Sequence, residues 1–245
     1  MAGAVSTLQD FPWEACVQAV KDSLDFDSYP AFAKHVLNTL PQNSPQTRSR
    51  YVSLIGRWFF PGQQLPGLPA RVWAAYEDEQ ILRDVMRAYV LSREPVIAAF
   101  VERFVLPTPS GTELPTATFQ AYVVETFGEF KEQSGRRLTR TLRSLGFIAR
   151  IGQTWFTQAI PNPANAFLIL LHEQFAPTPR IVPLARILAA PLWWQVGYHT
   201  TTQVNETLLD AAAAGLIARF VNVDQLDQIT TRYTLDEWLT RRLRL

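Results

Sequence analysis

The stretch Ser134–Phe156, SGRRLTRTLRSLGFIARIGQTWF, decides the predicted fold because it joins an amphipathic helix to a hairpin. Ser134 is a candidate N-cap for a helix Gly135–Leu145, and Gly146 follows as a helix stop. Residues 147–156 have the pattern of two short strands around a glycine-containing turn. A helix, a glycine and a hairpin in this order predict the second half of a winged-helix-like unit.

Another predicted helix, Thr116–Phe130, precedes this stretch, so the order of two helices, a glycine and a hairpin is complete. The clearest candidate boundary lies just before it, at Pro107–Gly111, where turn residues cluster. Upstream, apolar spacing predicts several helices, one of them opening at Ser44-Pro45. We therefore expect a helical N-terminal domain, residues 1–106, and a winged-helix-like unit, residues 112–160.

The same order of elements recurs towards the end of the chain. A predicted helix Thr200–Ala214 is followed by a glycine and by two strand-like segments, Leu216–Val223 and Gln228–Tyr233. A polar turn with Asp224 and Asp227 joins the two segments. This pattern predicts a second hairpin.

A short repeat supports the recurrence, since Leu145–Arg150 and Ala214–Arg219 correspond residue for residue in type. Two apolar helices, Ala164–Phe175 and Ile181–Ala189, are predicted in front of the second hairpin. We therefore predict a second winged-helix-like unit, residues 164–245. The fold class is mainly α, with a helical N-terminal domain followed by winged-helix-like units that carry short β-hairpins.

Charge is balanced over the whole chain but not along it. The 23 basic and 22 acidic residues give a net charge of +1, whereas residues 131–150 hold six basic residues against the single acid Glu132. All but three of the basic residues are arginines, which suit bidentate contacts with phosphate, although a GC-rich genome gives the same bias. Local basic patches, and not the net charge, therefore decide whether this chain can bind a polyanion.

The predicted helix 135–145 has two distinct faces. Leu138, Leu142 and Leu145 share one face, and basic residues share another. An arginine face on the helix before a hairpin is what a recognition helix needs, because arginine binds phosphates and guanine edges. The alternative is a solvated helix face, although such faces normally mix both signs of charge. The candidate DNA-binding residues here are Lys131, Arg136, Arg137, Arg140, Arg143 and Arg150.

A second candidate set is Arg48, Arg50 and Arg57, on a predicted helix without acidic residues. The alternative is that these three arginines pair with the acidic segment 1–44. In the second winged-helix-like unit, Thr200–Gln203 and Asn205 could donate to phosphates from a helix N-terminus, but the acids Glu206 and Asp210 that follow would repel DNA. We expect that unit to pack against protein.

Several function classes are excluded. Cys16 is the only cysteine, so neither a disulfide framework nor a multi-cysteine zinc site is possible. The three histidines lie far apart without ligand spacing, and no nucleotide-binding loop, nucleophile elbow or metalloprotease helix is present. We therefore predict a protein that is not an enzyme and has no catalytic residues, metal or cofactor.

We see no signal-peptide pattern in residues 1–9. The longest uncharged stretch, Ile151–His172, contains two prolines and only a short dense apolar part, Ala166–Leu171. The sequence thus predicts a soluble, cytoplasmic protein without a membrane partner.

Several short segments within residues 30–150 resemble a known family. They are Thr47–Tyr51 (TRSRY), Arg57–Gly62 (RWFFPG), Val72–Tyr76 (VWAAY), Leu82–Arg87 (LRDVMR), Arg93–Val96 (REPV) and, further along the chain, Arg137-Leu138, Thr141-Leu142 and Leu145-Gly146-Phe147. In this order they resemble the BrxA-like proteins of bacterial BREX phage-defence systems. The resemblance implies a small, mainly helical, non-enzymatic accessory protein that binds double-stranded DNA and acts with a methyltransferase and ATPases.

The leading hypothesis is therefore a cytoplasmic DNA-binding accessory protein of an antiphage system. Its binding is expected to be largely phosphate-driven, since arginines outnumber the asparagine and glutamine base readers on the presumed recognition helix. One alternative is a protein–protein scaffold of a defence complex that touches no nucleic acid. Another is a helical RNA-binding factor.

Overall fold

The computed structural model describes residues 12–223 and 226–245. Within these ranges the chain is mainly helical and carries two small antiparallel sheets of three strands each. Residues 1–9, for which no signal peptide is predicted, lie outside the described residues. Asp224 of the predicted turn lies outside them as well. None of the described helices is both long enough and apolar enough to span a bilayer.

Six α-helices form the first part of the fold. They are α1 (Trp13–Asp22), α2 (Tyr29–Thr39), α3 (Pro45–Phe59), α4 (Leu68–Tyr76), α5 (Glu79–Leu91) and α6 (Pro95–Phe100), and α6 continues as a π-helical turn, Val101–Val105. The predicted cap of α3 is confirmed, because the Ser44 hydroxyl accepts a hydrogen bond from the Thr47 amide. Asp78 caps α5 in the same manner, through the amides of Gln80 and Ile81.

Helix α5 lies at the centre of the molecule. Every residue from Ile81 to Leu91 except Arg83 is buried, which is unusual for a helix that contains an aspartate and two arginines. It packs against α3, α4 and α6, and also against two helices from the later part of the chain. The buried side chains of the described residues form one connected core that runs from Trp13 to Leu239.

The segment 112–160, called the first unit, contains one small sheet. Its elements are β1 (Glu113–Leu114), α7 (Thr116–Phe127), α8 (Glu132–Ser144), β2 (Ile148–Ile151) and β3 (Thr154–Thr157), with strand order β1-β3-β2. The predicted hairpin is therefore present, with Ile151 opposite Thr154. Helix α6 packs on this unit, since Phe100 stacks on Phe119 with ring centroids 5.1 Å apart.

The predicted start of α8 at Ser134 is wrong. The helix begins at Glu132, with Lys131 as an N-cap that has extended backbone angles and no side-chain capping bond. The Ser134 amide already donates to the Lys131 carbonyl. An acidic residue in the first turn favours the earlier start, because Glu132 complements the positive end of the helix dipole.

The segment 164–245, called the second unit, repeats this topology. Its elements are α9 (Ala164–Phe175), β4 (Ile181–Pro183), α10 (Leu184–Ala189), α11 (Leu192–Val196), α12 (Thr201–Ala213), β5 (Ile217–Val223), β6 (Leu226–Thr231) and α13 (Leu235–Thr240). The strand order β4-β6-β5 matches that of the first unit. The division into domains at 1–106, 112–160 and 164–245 stays a prediction.

The predicted helix Ile181–Ala189 is wrong at its start. Ile181–Pro183 forms strand β4 and pairs with β6, so the helix begins only at Leu184. Val182 is buried and Ile181 is exposed, which is the alternation of a strand with one covered face. Pro183 stands at the change from strand to helix, where its fixed φ angle is accepted.

A buried arginine on α5 connects the three sections of the chain. Arg87 is 5% exposed, and its Nη1 donates to the Asp84 carboxylate at 2.7 Å and to the Val196 carbonyl at 2.9 Å. Its Nε donates to the Leu145 carbonyl at 2.6 Å. Leu145 is the C-cap of α8 and Val196 is the last residue of α11. One guanidinium therefore binds the negative ends of two helices.

The carboxylate beside this arginine is held in place by the same contacts. Burial raises the pKa of Asp84, and the neighbouring Arg87 guanidinium opposes that rise. The Gln80 side chain donates a further hydrogen bond to Asp84 at 2.9 Å. Arg87 and Asp84 thus form a buried ion pair with further hydrogen bonds on both sides, and removal of one partner would leave the other charge uncompensated.

We predict that Arg87→Met lowers the free energy of unfolding by about 3–5 kcal/mol, because it leaves the Asp84 carboxylate buried without its charge partner and two helix-end carbonyls without their arginine donor. Denaturant unfolding followed by circular dichroism measures this loss. The matched control is Arg71→Met, which removes an ion pair with the exposed Asp236 and should change stability by at most about 1 kcal/mol. Equal losses in the two variants would contradict the central role of Arg87.

Candidate nucleic-acid interface

Helix α8 has the two faces that its sequence spacing predicts. Leu138 and Leu142 are fully buried, and Thr141 is buried beside them. Arg136 and Arg143 are exposed on the other side of the helix. The buried face fixes α8 to the unit, so the arginine face is presented by a firmly packed element.

The exposed face of α8 forms one wall of a groove, called the α8 groove, with a volume of about 580 Å³. The start of α7 and the β2–β3 hairpin supply the other walls. Its lining residues are Thr116, Phe119, Gln120, Phe130, Glu132, Gly135, Arg136, Thr139, Arg140, Arg143, Arg150, Gln153 and Trp155. The α8 members recur at intervals of three and four residues, so they form one continuous stripe.

Charge in the α8 groove is strongly biased. Four arginines line it, against one acid. The acid, Glu132, forms an ion pair with Arg136 one turn further along the helix. Arg143 has no hydrogen-bond or ion-pair partner within the described part of the chain. The groove thus retains excess positive charge and carries a guanidinium that is available to an anion.

The hairpin brings a fourth arginine to the groove from a different element. Arg150 lies directly opposite Trp155 in the β2–β3 ladder, and its guanidinium carbon is 5.4 Å from the centre of the indole ring. Its Nη2 also donates to the Gln153 side-chain oxygen at 2.5 Å. Such cross-strand and cation–π contacts hold a long side chain in one orientation.

Three aromatic rings line the same groove. Phe119 is buried, and its ring centroid lies 6.2 Å from that of Trp155. Phe130 is 44% exposed. Its ring lies over Gly135, where an added Cβ would be 3.5 Å from the ring. The groove therefore combines an apolar floor with a positively charged rim.

The remaining predicted residues of this unit lie outside the groove lining. Lys131 forms an exposed ion pair with Glu129 at 2.7 Å. Arg137 is half-buried on the side of α8 that turns away from the groove. Of the six basic residues proposed from the sequence for this unit, the structure therefore brings together four.

The second predicted set, on α3, is not part of this site. Arg57 forms an ion pair with Glu94, and the Trp58 indole donates to the same carboxylate oxygen at 2.8 Å. Arg50 is exposed, and Arg48 is half-buried. No ion pair within the described residues joins these three arginines to residues 12–44, so the predicted pairing with that segment is not seen for its described part.

A groove beside helix α12 of the second unit carries acidic side chains. Its volume is about 260 Å³, and it is lined by Glu206 and Asp210, with His199 and Gln203. Thr200 and Gln203 form a capping box at the start of α12, so its first-turn polar groups already bind the backbone. This groove lacks the arginines that a phosphate site needs.

Sequence reasoning did not identify Trp155, Phe119 and Phe130 as site residues. A signal for Trp155 was present, because a two-residue turn at Gly152-Gln153 places residue 155 opposite Arg150. Nothing in the sequence pattern places Phe119 or Phe130 there, since their position depends on how α7 packs against α8.

Among the described residues, no group of three or more histidine, cysteine or acidic side chains could hold a metal ion. Cys16 is fully buried, and burial raises the pKa of its thiol.

In comparisons with known proteins, no family model, no curated protein and no solved structure matches the chain. The function must therefore be argued from the α8 groove, the topology and the sequence motifs.

We predict that Arg143→Gln leaves the free energy of unfolding unchanged, because the side chain is exposed and without a partner in the described chain. Its neighbour Leu142 is fully buried, and Leu142→Ala should lower the free energy of unfolding by about 2–5 kcal/mol. Thermal and denaturant unfolding of both variants measure the difference. A clear loss of stability in Arg143→Gln would mean that the arginine face is structural.

Proposed function

We propose that this protein is a non-enzymatic DNA-binding accessory protein that contacts double-stranded DNA through the first unit. One observation carries the proposal: Arg136, Arg140 and Arg143 on α8 and Arg150 on the hairpin converge on one groove that contains a single acid. Guanidinium groups bind phosphate oxygens in bidentate geometry and can also read guanine edges.

The topology supports a winged-helix interpretation of both units. In the first unit, α6 precedes β1, two helices follow, and a hairpin closes a sheet of order β1-β3-β2. In this interpretation α8 is the recognition helix and the β2–β3 hairpin is the wing. The second unit has the same order of strands, and its acidic groove suits a protein partner better than DNA.

The binding mode follows from the residues in the groove. Arginines are its only basic side chains. Phosphate contacts made by such residues position a protein on DNA without selecting its sequence, so affinity is strongly salt-dependent and base selectivity is weak.

We also propose that the protein acts in a BREX-type antiphage system in the cytoplasm, alongside a methyltransferase and ATPases. The proposed role in a BREX-type system rests on the resemblance of its motifs to BrxA-like proteins. Several of these motifs meet in the fold: Arg57 and Trp58 both bind Glu94, and Arg87 binds the Leu145 carbonyl. Their joint occurrence therefore has a structural reason. Genes for a methyltransferase and ATPases beside this gene would support the assignment.

We predict that the triple variant Arg136→Gln, Arg140→Gln, Arg143→Gln flattens the slope of log K against log salt by about 2–3 units, because each phosphate contact releases about one counterion. Its affinity for duplex DNA at low salt should fall strongly. Fluorescence anisotropy with a labelled duplex at several salt concentrations measures both quantities.

The matched control removes the same number of charges outside the groove, through Arg103→Gln, Arg180→Gln and Arg186→Gln, all at exposed positions. It should retain the wild-type slope. Unchanged binding in a folded α8 variant would eliminate the groove and favour the scaffold hypothesis. Stronger competition by RNA than by DNA would instead favour the RNA-binding hypothesis.

A further inference from the structure

We propose that the α8 groove accepts an unpaired nucleobase of a DNA strand, which stacks on Trp155 and Phe130 while the flanking phosphates contact the arginines. This inference rests on the proposed function, because it specifies which part of the DNA the same groove receives. It goes beyond phosphate contact, since it assigns a role to the aromatic floor.

The shape of the site is the first argument. The arginine face of α8 is also one wall of a depression, which the start of α7 and the hairpin line from the other sides. Its volume of about 580 Å³ lies in the range of sites that enclose a small molecule or a single nucleotide.

The exposed rings are the second argument. Contacts with phosphates alone do not require aromatic side chains, and exposed apolar surface is unfavourable in water. Yet Phe130 is 44% exposed and Trp155 is only half-buried, both on the groove wall. Aromatic rings in a basic groove are typical of proteins that bind unpaired bases, because each stacked base contributes about 1–3 kcal/mol.

Trp155 is held in place well enough to serve as a stacking platform. Strand β3 lies between two neighbours, so Trp155 pairs with Leu114 on one side and with Arg150 on the other. Phe119 supports its ring from α7. The planar guanidinium of Arg150 lies over the indole, so a base can stack on this guanidinium–indole pair from its outer side.

Two amide side chains in the α8 groove could form hydrogen bonds with a base. Gln120 and Gln153 line the groove from opposite walls, and each carries a donor and an acceptor. The Gln153 oxygen accepts from Arg150, so its amide group remains as a donor. Pairs of donors and acceptors match the Watson–Crick edge of a base. That edge is available only when the base is unpaired.

The test compares four labelled DNA ligands by fluorescence anisotropy with the full-length protein. They are an intact duplex, the same duplex with a one-base bulge, the same bulge with an abasic site, and the single strand. We expect wild type to bind the bulged duplex about tenfold more tightly than the intact one, as stacking of one base implies. The abasic bulge should lose this preference, because it keeps the flexibility of the bulge but not the ring.

Substitutions of Trp155 and Phe130 test whether the preference for the bulged duplex depends on the aromatic rings. Trp155→Ala and Phe130→Ala should each abolish the preference for the bulge, measured as the ratio of the affinities for the bulged and the intact duplex. Trp155→Phe keeps a ring and should retain most of the preference. Phe130 is an exposed residue, so its variant tests the proposal even if Trp155→Ala fails to fold. Val124→Ala is the control, at a 43% exposed position outside the groove lining.

The outcomes separate this inference from the proposed function. Equal binding of intact, bulged and abasic duplexes would overturn the inference and leave duplex binding in place. A preference that persists with the abasic bulge would also overturn it, because bending of the DNA would then explain the result. Absence of binding to all four ligands would overturn the proposed function itself. A fifth ligand, the same bulged duplex made of RNA, would overturn the assignment to DNA if it bound more tightly than the bulged DNA.

Discussion

The side chain of Arg87 is buried, and the protein provides acceptors for the N–H groups of its Nε and Nη1. Those acceptors are Asp84 on the same helix, the Leu145 carbonyl at the end of α8 and the Val196 carbonyl at the end of α11. The three contacts fix the ends of two helices against α5. Since the groove arginines lie on the opposite side of α8, the position of the whole site depends on this anchor.

The backbone next to these two carbonyls is adapted to the same contact. Gly146 and Gly197 follow them with φ angles of +83° and +118°, a conformation that residues with a side chain rarely adopt. Ile160, in the connection between the two units, packs against both glycines. An added Cβ would lie 3.2 Å from Ile160 at position 146 and 2.4 Å at position 197. The helix ends can thus reach Arg87 because the chain turns away immediately and leaves room for Ile160.

The two units show that topology alone does not decide what a surface binds. Both close a three-stranded sheet in the same order after a helix. The exposed face of α8 carries arginines, whereas the groove beside α12 carries Glu206 and Asp210. A polyanion is attracted to the first and repelled by the second.

The sequence by itself determined the elements whose signals are local. The leucine and arginine spacing in residues 136–145 is sufficient for the two faces of α8, and the Gly152 turn is sufficient for the hairpin and its register. It did not determine β1 and β4, because strands of two or three residues have little pattern of their own and form only by pairing with a distant strand. The residues of the α8 groove were likewise determined partly by local sequence and partly by tertiary packing. Local spacing indicated the arginines, but only tertiary packing placed Phe119 and Phe130 beside them. Tertiary packing also decided that Arg57 forms an ion pair with Glu94, because these two residues are far apart in the chain.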